Sequence, residues 1–257
     1  MISGREIKEQ AREFSVPTST IERDYVQNWF LSALRPVNMA LKGGTGIRKV
    51  FIENYRFSDD LDFTLLEPVD ADTLRTAVID AMVRVRNESG IQFEDEIGFR
   101  QTKNGFKATT RFRILHRGQT SPIKIDLDLT GADSEQILLP VSDRPVFHHY
   151  SDGLETCVAS YALEEIMAEK IRSIFQRTRS RDLYDIGQLA GRVDRERVKS
   201  IVHRKCEYKR VTADPVILRE KRDQFAALWQ VSLGHQIHDI PDFDAAFETV
   251  LSEIEDL

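Results

Sequence analysis

Arg56-Phe57-Ser58-Asp59-Asp60-Leu61-Asp62-Phe63-Thr64-Leu65 and, further on, Lys124-Ile125-Asp126-Leu127-Asp128-Leu129 decide how this chain folds. The second stretch alternates strictly. Residues two apart on a strand face the same way, so Lys124, Asp126 and Asp128 share one face and Ile125, Leu127 and Leu129 the other. The aliphatic side predicts a strand that covers a core. Aspartate is a poor strand former, so two of them on the opposite side mark a face kept for chemistry. The first stretch takes up the same alternation at Asp60, which puts Asp60 and Asp62 together. Like charges held together are unfavourable unless a cation sits between them. A bare Asp-x-Asp beside Asp59 is more often an exposed acidic loop, and only the second acidic strand tips the reading toward a site.

The flanking segments fit an α/β (α+β) fold with a small mixed sheet, followed by a helical C-terminal half. Gly4 to Leu34 reads as two helices parted at Val16-Pro17, with Thr18 or Ser19 as N-cap and Glu22 and Asp24 in the first turn. Met39-Ala40-Leu41 runs into a Gly43-Gly44 break, and Ile47 to Phe51 resumes with helical spacing. Leu74 to Val85 is an amphipathic helix with Leu74, Val78, Met82 and Val85 inward. Phe106 to Leu115 reads as a strand. From Tyr161 the pattern turns helical, so the expected division is residues 1–150 as the core with its N-terminal helices and 151–257 as a helical domain completing the cleft, with a soft boundary near Ser151-Asp152-Gly153.

Composition sets the outer limits. With 41% hydrophobic and 30% charged residues in 257, the chain has enough apolar side chains for a substantial core and is not disordered. No apolar run of membrane-spanning length occurs, and the charged N-terminus lacks a signal-peptide core, so a cytoplasmic location is expected. Cys157 and Cys206 form no CxxC and build neither a disulfide framework nor a cysteine-rich zinc site. Net charge is −6, but residues 170–210 hold 13 basic and 5 acidic residues, a local +8 in a remainder of −14. Such a segment is a face for phosphates or, more commonly, a solvated helix surface.

Other residue patterns carry weaker signals. Gly43-Gly44-Thr45 is neither a Walker loop nor GxGxxG, though a backbone without side chains approaches phosphate closely. Leu163, Ile166, Met167, Ile171, Ile174 and Phe175 form a buried helical stripe with Lys170 beside it, and Asp182 and Asp185 share a helix face. His235 and His238 lack an acidic third ligand at a telling spacing. Trp229 lies with Phe225 and Leu228 in an apolar stripe, and no Gly-x-Ser-x-Gly occurs.

As a set, Leu41-Lys42-Gly43-Gly44-Thr45-Gly46-Ile47-Arg48-Lys49, Arg56 to Phe63, Lys124-Ile125-Asp126, Glu169-Lys170-Ile171 and Arg181-Asp182-Leu183-Tyr184-Asp185-Ile186 run in one order over residues 18–190. The chain thereby resembles the AbiEii/AbiGii-type toxin nucleotidyltransferases, MenT toxins included, within the polymerase β-like nucleotidyltransferase superfamily. Ile21-Glu22-Arg23-Asp24-Tyr25 is similar to that family's N-terminal helix, and Ile47 stands where leucine is usual. The resemblance implies Mg²⁺-dependent (or Mn²⁺-dependent) transfer of a nucleoside monophosphate from an NTP to an acceptor hydroxyl. It implies Asp60 and Asp62 as metal ligands with Asp126 as third carboxylate and general base; Asp128 shares that face as the alternative. It further implies Gly43, Gly44, Thr45 and Ser58 at the triphosphate, Lys170 neutralising phosphate charge, and Asp182 or Asp185 completing the catalytic set. The implied acceptor is tRNA, with a cognate antitoxin as partner. Transfer to a protein hydroxyl and a non-catalytic nucleotide- or RNA-binding regulator are the competing readings.

Overall fold

The computed structural model describes residues 1–115 and 121–256. The strand predicted around Lys124–Leu129 is β6 (Ile123–Thr130), and it lies inside an eight-stranded mixed sheet. The other strands are β1 (Met39–Lys42), β2 (Asp60–Leu65), β3 (Gln92–Phe93), β4 (Gly98–Thr102), β5 (Gly105–Arg113), β7 (Ser142–Pro145) and β8 (Cys157–Ser160). Their order is β3-β5-β6-β2-β1-β8-β7, with β4 also pairing β5. β2 runs parallel to β6 and β1 parallel to β8, while the remaining pairs are antiparallel.

One face of this sheet is the core. Leu61, Phe63, Ile125, Leu127 and Leu129 are buried there with α1 (Gly4–Glu13), α2 (Thr18–Ala33) and α4 (Ala71–Ser89) supplying the covering apolar residues, while the short α3 (Gly43–Gly46) follows β1. Burying each such side chain is worth about 1.5–3 kcal/mol, so the alternation that identified β6 also drives it inward. Leu74, Val78, Met82 and Val85 of α4 are buried as read, and Asp70 caps that helix by accepting from the Asp72 and Thr73 amides. The predicted cap of α2 is corrected. Helix begins at Thr18 itself, Pro17 is the N-cap, and no side chain caps it; the φ fixed by the proline ring already sets the entry geometry.

The chain divides into two compact units, Met1–Glu135 with Val141–Tyr161, and Gln136–Pro140 with Ala162–Leu257. The sheet therefore extends past the boundary near Ser151–Gly153 expected from sequence, because β8 pairs with β1 and belongs to the first unit. The second unit is helical: α5 (Leu163–Gln176), α6 (Ser180–Leu189), α7 (Arg195–Lys209), α8 (Pro215–Glu220), α9 (Arg222–Leu233) and α10 (Phe243–Glu255). Trp229 is core here, its indole N–H donating to the Pro241 carbonyl at 2.9 Å, while Leu228 stays exposed. Cys206 is buried and Cys157 half-buried, both as free thiols. Among the described residues, no helix is long and apolar enough to cross a membrane.

Candidate active site

Parallel pairing of β2 with β6 sets Asp60 beside Asp126 and Asp62 beside Asp128. Paired residues of adjacent strands point to one side, so four carboxylates gather on the face opposite the core. The neighbouring strands bring cations and a hydroxyl to that face. Lys42 of β1 is in register with Asp62, and Lys107 and Thr109 of β5 are in register with Asp128 and Asp126. Lys107 Nζ lies 3.0 Å from Asp126 Oδ2 and 3.4 Å from Asp128 Oδ2. Lys124 Nζ reaches Asp126 Oδ2 at 2.6 Å, and the Thr109 hydroxyl donates to Asp126 Oδ1 at 2.7 Å.

The two β6 carboxylates thus sit in unlike surroundings. Burial would raise the pKa of Asp126, but hydrogen bonds from Lys124, Thr109 and Lys107 outweigh it and hold the carboxyl below its ordinary range. For Asp128, burial and then the charge of Asp62 push the carboxyl above that range. Asp59, adjoining the pair in sequence, is drawn off to Arg23 at 3.0 Å. Sequence reasoning missed Lys107 and Thr109. Their alternation within Gly105–Arg113 was visible, but the β5–β6 register was not.

The Gly-Gly turn is fitted against this face. Gly43 adopts φ +68°, and a Cβ there would lie 2.5 Å from Asp62 Oδ2; at Gly44 it would lie 2.6 Å from Arg56 Nη2. A Cβ at either position would displace a neighbouring side chain, and at Gly43 the left-handed backbone disfavours one as well. Thr45 is buried and its hydroxyl donates to the Asp60 carbonyl, pinning the start of β2. Ser58 is buried, with its carbonyl accepting from the Gln27 side chain at 2.9 Å.

The basic pair Arg48-Lys49, which follows the glycines, turns inward. Arg48 Nε and Lys49 Nζ meet Asp24 Oδ1 at 2.6 and 2.7 Å, and the Tyr150 hydroxyl donates to Asp24 Oδ2 at 2.9 Å. Arg48 also stacks 3.6 Å from the centroid of Phe57. Burial pushes Lys49 down to about 8 despite Asp24, whereas Arg48 and Lys49 overcome burial to hold Asp24 well below the carboxylate range. This clamp ties α2 to the turn that carries Gly43 and Gly44.

In the helical unit, Lys170 is buried on α5, with Nζ 2.7 Å from Asp182 Oδ1 and 2.8 Å from Asp185 Oδ2. Arg177 adds a contact to Asp182 at 2.9 Å. The three residues singled out from sequence in this half are thus brought together. Burial opposes ionisation of Asp182, but Lys170 and then Arg177 hold its carboxyl low.

Among the described residues, no three His, Cys, Asp or Glu side chains stand close enough to hold a metal ion as they are. The donor chemistry nonetheless suits a hard divalent cation. Asp60, Asp62 and the β6 carboxylates offer oxygen only, and Asp62 stands in register beside Asp128.

Residues 29–252 match the model of the AbiEii nucleotidyl transferase toxin family of type IV toxin–antitoxin systems. The chain belongs to the AbiEii family. It is a nucleotidyltransferase. Among solved structures, MenT4, a nucleotidyltransferase toxin from Mycobacterium tuberculosis H37Rv, is similar at TM-score 0.68 and 20% identity, over 100% of this chain and 91% of that one. JHP933 from Helicobacter pylori is similar at TM-score 0.58 and 16% identity, over 93% and 92% of the two chains. At such identities the likeness speaks for the nucleotidyltransferase fold. No curated protein sequence matches the chain.

Proposed function

We propose that this AbiEii family chain transfers a nucleoside monophosphate from an NTP to a hydroxyl of tRNA, with Mg²⁺, as a cytoplasmic toxin opposed by a cognate antitoxin. The observation that carries the reading is the register of β2 against β6, which lines up Asp60 with Asp126 and Asp62 with Asp128. Asp60, Asp62 and a carboxylate of β6 would hold the divalent ion, and bound there it neutralises phosphate charge. The Gly43-Gly44 backbone, against Asp62 and Arg56, offers close approach to the triphosphate, and Arg56 adds positive charge. In the transfer, the acceptor oxygen bonds to the α-phosphorus as the bond to the bridging oxygen breaks. Pyrophosphate leaves, and a β6 carboxylate takes the hydroxyl proton, Asp126 or Asp128. Thr45 acts by anchoring Asp60, since its hydroxyl is engaged by that residue's carbonyl. Lys170, Asp182 and Asp185 are the catalytic set proposed for the helical unit, with Lys170 held between the two aspartates.

The acceptor reading rests on the basic segment. Lys170 and Lys205 are buried and ion-paired, but Arg192, Arg197, Arg204 and Arg210 are exposed, and Tyr208 stands exposed beside Lys209. Cations of this kind dock phosphates without reading sequence. Incubation with total tRNA, Mg²⁺ and each labelled NTP in turn, beside an Asp60→Ala/Asp62→Ala variant, tests the whole. Label is expected in RNA with the intact aspartates alone. Label surviving ribonuclease on protein would replace the acceptor, and NTP binding without turnover would make the chain a regulator.

A further inference from the structure

We infer that the β4–β5 half of the carboxylate face docks the phosphate backbone of an RNA acceptor, through Arg100 and Arg111 with Arg113 continuing the row. The inference deepens, and rests on, the reading of this face as the site of transfer to RNA.

Alternation within β5 buries Ala108, Thr110 and Phe112 on the core side, which leaves Lys107, Thr109, Arg111 and Arg113 on the side of the carboxylates. On β4, Arg100 pairs with Lys107, and Lys107 pairs with Asp128, so Arg100 shares that side. Lys124 of β6 pairs with Arg111. These cations are not equally available. Lys107 and Lys124 are taken up by Asp126, at 3.0 and 2.6 Å. The Arg111 side chain is 55% exposed, and its contact with Glu94 is a long one, 3.9 Å. Arg100 and Arg113 are exposed, and among the described residues neither forms an ion pair.

The face is ordered across the sheet. Lys42 and the Gly43-Gly44 turn stand on the β1 side of Asp62, the four carboxylates lie on β2 and β6, and the arginines lie beyond them on β5 and β4. β1 and β5 are three strand spacings apart, about 14 Å. In phosphoryl transfer the attacking and leaving oxygens lie roughly in line, on opposite sides of the phosphorus. With the triphosphate at the glycine turn, pyrophosphate leaves toward β1 and the acceptor enters from β5. An RNA strand arriving there carries a charge at every nucleotide, and cations repeated along a strand suit such a polymer better than they suit a single protein hydroxyl. Contacts of this kind fix where the RNA lies without reading its bases.

Steady-state transfer to total tRNA, together with filter binding of tRNA over a range of salt, tests this on the full-length protein. Thermal melts establish that each variant is folded. Arg100→Gln/Arg111→Gln should raise KM for tRNA about tenfold or more and flatten the slope of log affinity against log salt by about 1.5, with KM for the NTP within about twofold of wild type. Arg100→Lys/Arg111→Lys keeps both charges and should hold the wild-type slope. A folded glutamine double variant with wild-type KM for tRNA and wild-type slope would overturn the inference. A rise in KM for the NTP alone would also overturn it and give the arginines to the triphosphate. Should the double variant not fold, Arg100→Gln decides alone, with an expected flattening of about 0.7. A wild-type protein that labels protein and leaves RNA unlabelled would instead overturn the acceptor reading itself before any variant is compared, so the two failures are distinct.

Discussion

Replacing Gly43 with alanine puts a methyl group where the Asp62 carboxylate lies. The Cβ would stand 2.5 Å from Asp62 Oδ2 and 3.2 Å from its Cβ and Cγ, on a backbone with φ +68°. Two costs arise. Holding a residue with a Cβ in the left-handed region costs about 1–2 kcal/mol. Restoring a normal contact of about 3.5 Å or more then moves the carboxylate by about 1 Å. A shift of about 1 Å in a reacting arrangement costs about 100-fold in rate. Gly90 separates the two costs. It has φ +78° at the end of α4, and a Cβ there meets nothing within 4 Å. Gly43→Ala and Gly90→Ala should therefore lose similar stability in urea melts, about 1–2 kcal/mol, while only Gly43→Ala loses about 100-fold in kcat for nucleotide transfer. A Gly43→Ala protein that transfers nucleotide as fast as Gly90→Ala would refute the placement of Asp62 at the reaction.

Asp24→Asn leaves Arg48 and Lys49 buried without their carboxylate and should cost about 3–5 kcal/mol in denaturant melts; a loss under about 1 kcal/mol would show that the clamp tying α2 to the glycine turn is not structural. Asp182 ionises more readily folded than unfolded, so its stabilisation is complete above the unfolded value of 3.8 and fades as pH falls below it. Tm measured from pH 6 to pH 2 should accordingly fall less steeply below about pH 4 in Asp182→Asn than in the wild type. Arg197→Glu/Arg204→Glu should weaken tRNA binding and reduce the slope of log affinity against log salt by about 1 or more, with the melting temperature held; an unchanged slope would move the RNA-binding face elsewhere.

The acidic face was legible because strand alternation is a local signal. Ile125, Leu127 and Leu129 had to point one way, so Asp126 and Asp128 had to point the other. α4 was legible for the same reason at helical period. What stayed hidden depends on pairing between distant segments. Ser142–Pro145 has no apolar alternation and is a strand only through its hydrogen bonds to Cys157–Ser160. Lys107 sits in a segment that reads as a strand, but nothing in Gly105–Arg113 states that residue 107 falls beside Asp128. Arg48 and Lys49 follow the glycines closely enough to pass for phosphate ligands, yet they meet Asp24, a buried acid in the second turn of α2. The +8 segment was legible as a composition and illegible as a surface. Lys205, fully buried between Glu165 and Glu169, belongs to the interior of the helical unit, and Lys170 to a pair of aspartates.

The gathering of carboxylates on this face depends on a register, and the register is one the core already enforces. Strand side chains alternate, so a slip of β6 by one residue against β2 would turn Asp126 and Asp128 toward α2 and α4 and expose Leu127 and Leu129. Burial of those leucines, worth about 1.5–3 kcal/mol each, therefore also aims the carboxylates. Two hydroxyls refine what the apolar residues impose: Thr45 on the carbonyl of Asp60 and Thr109 on the carboxylate of Asp126. The helices on one side of the sheet thus keep an acidic face on the other, although Asp62 and Asp128 repel one another there. Lys107 and Lys124 supply the opposing charge within the chain.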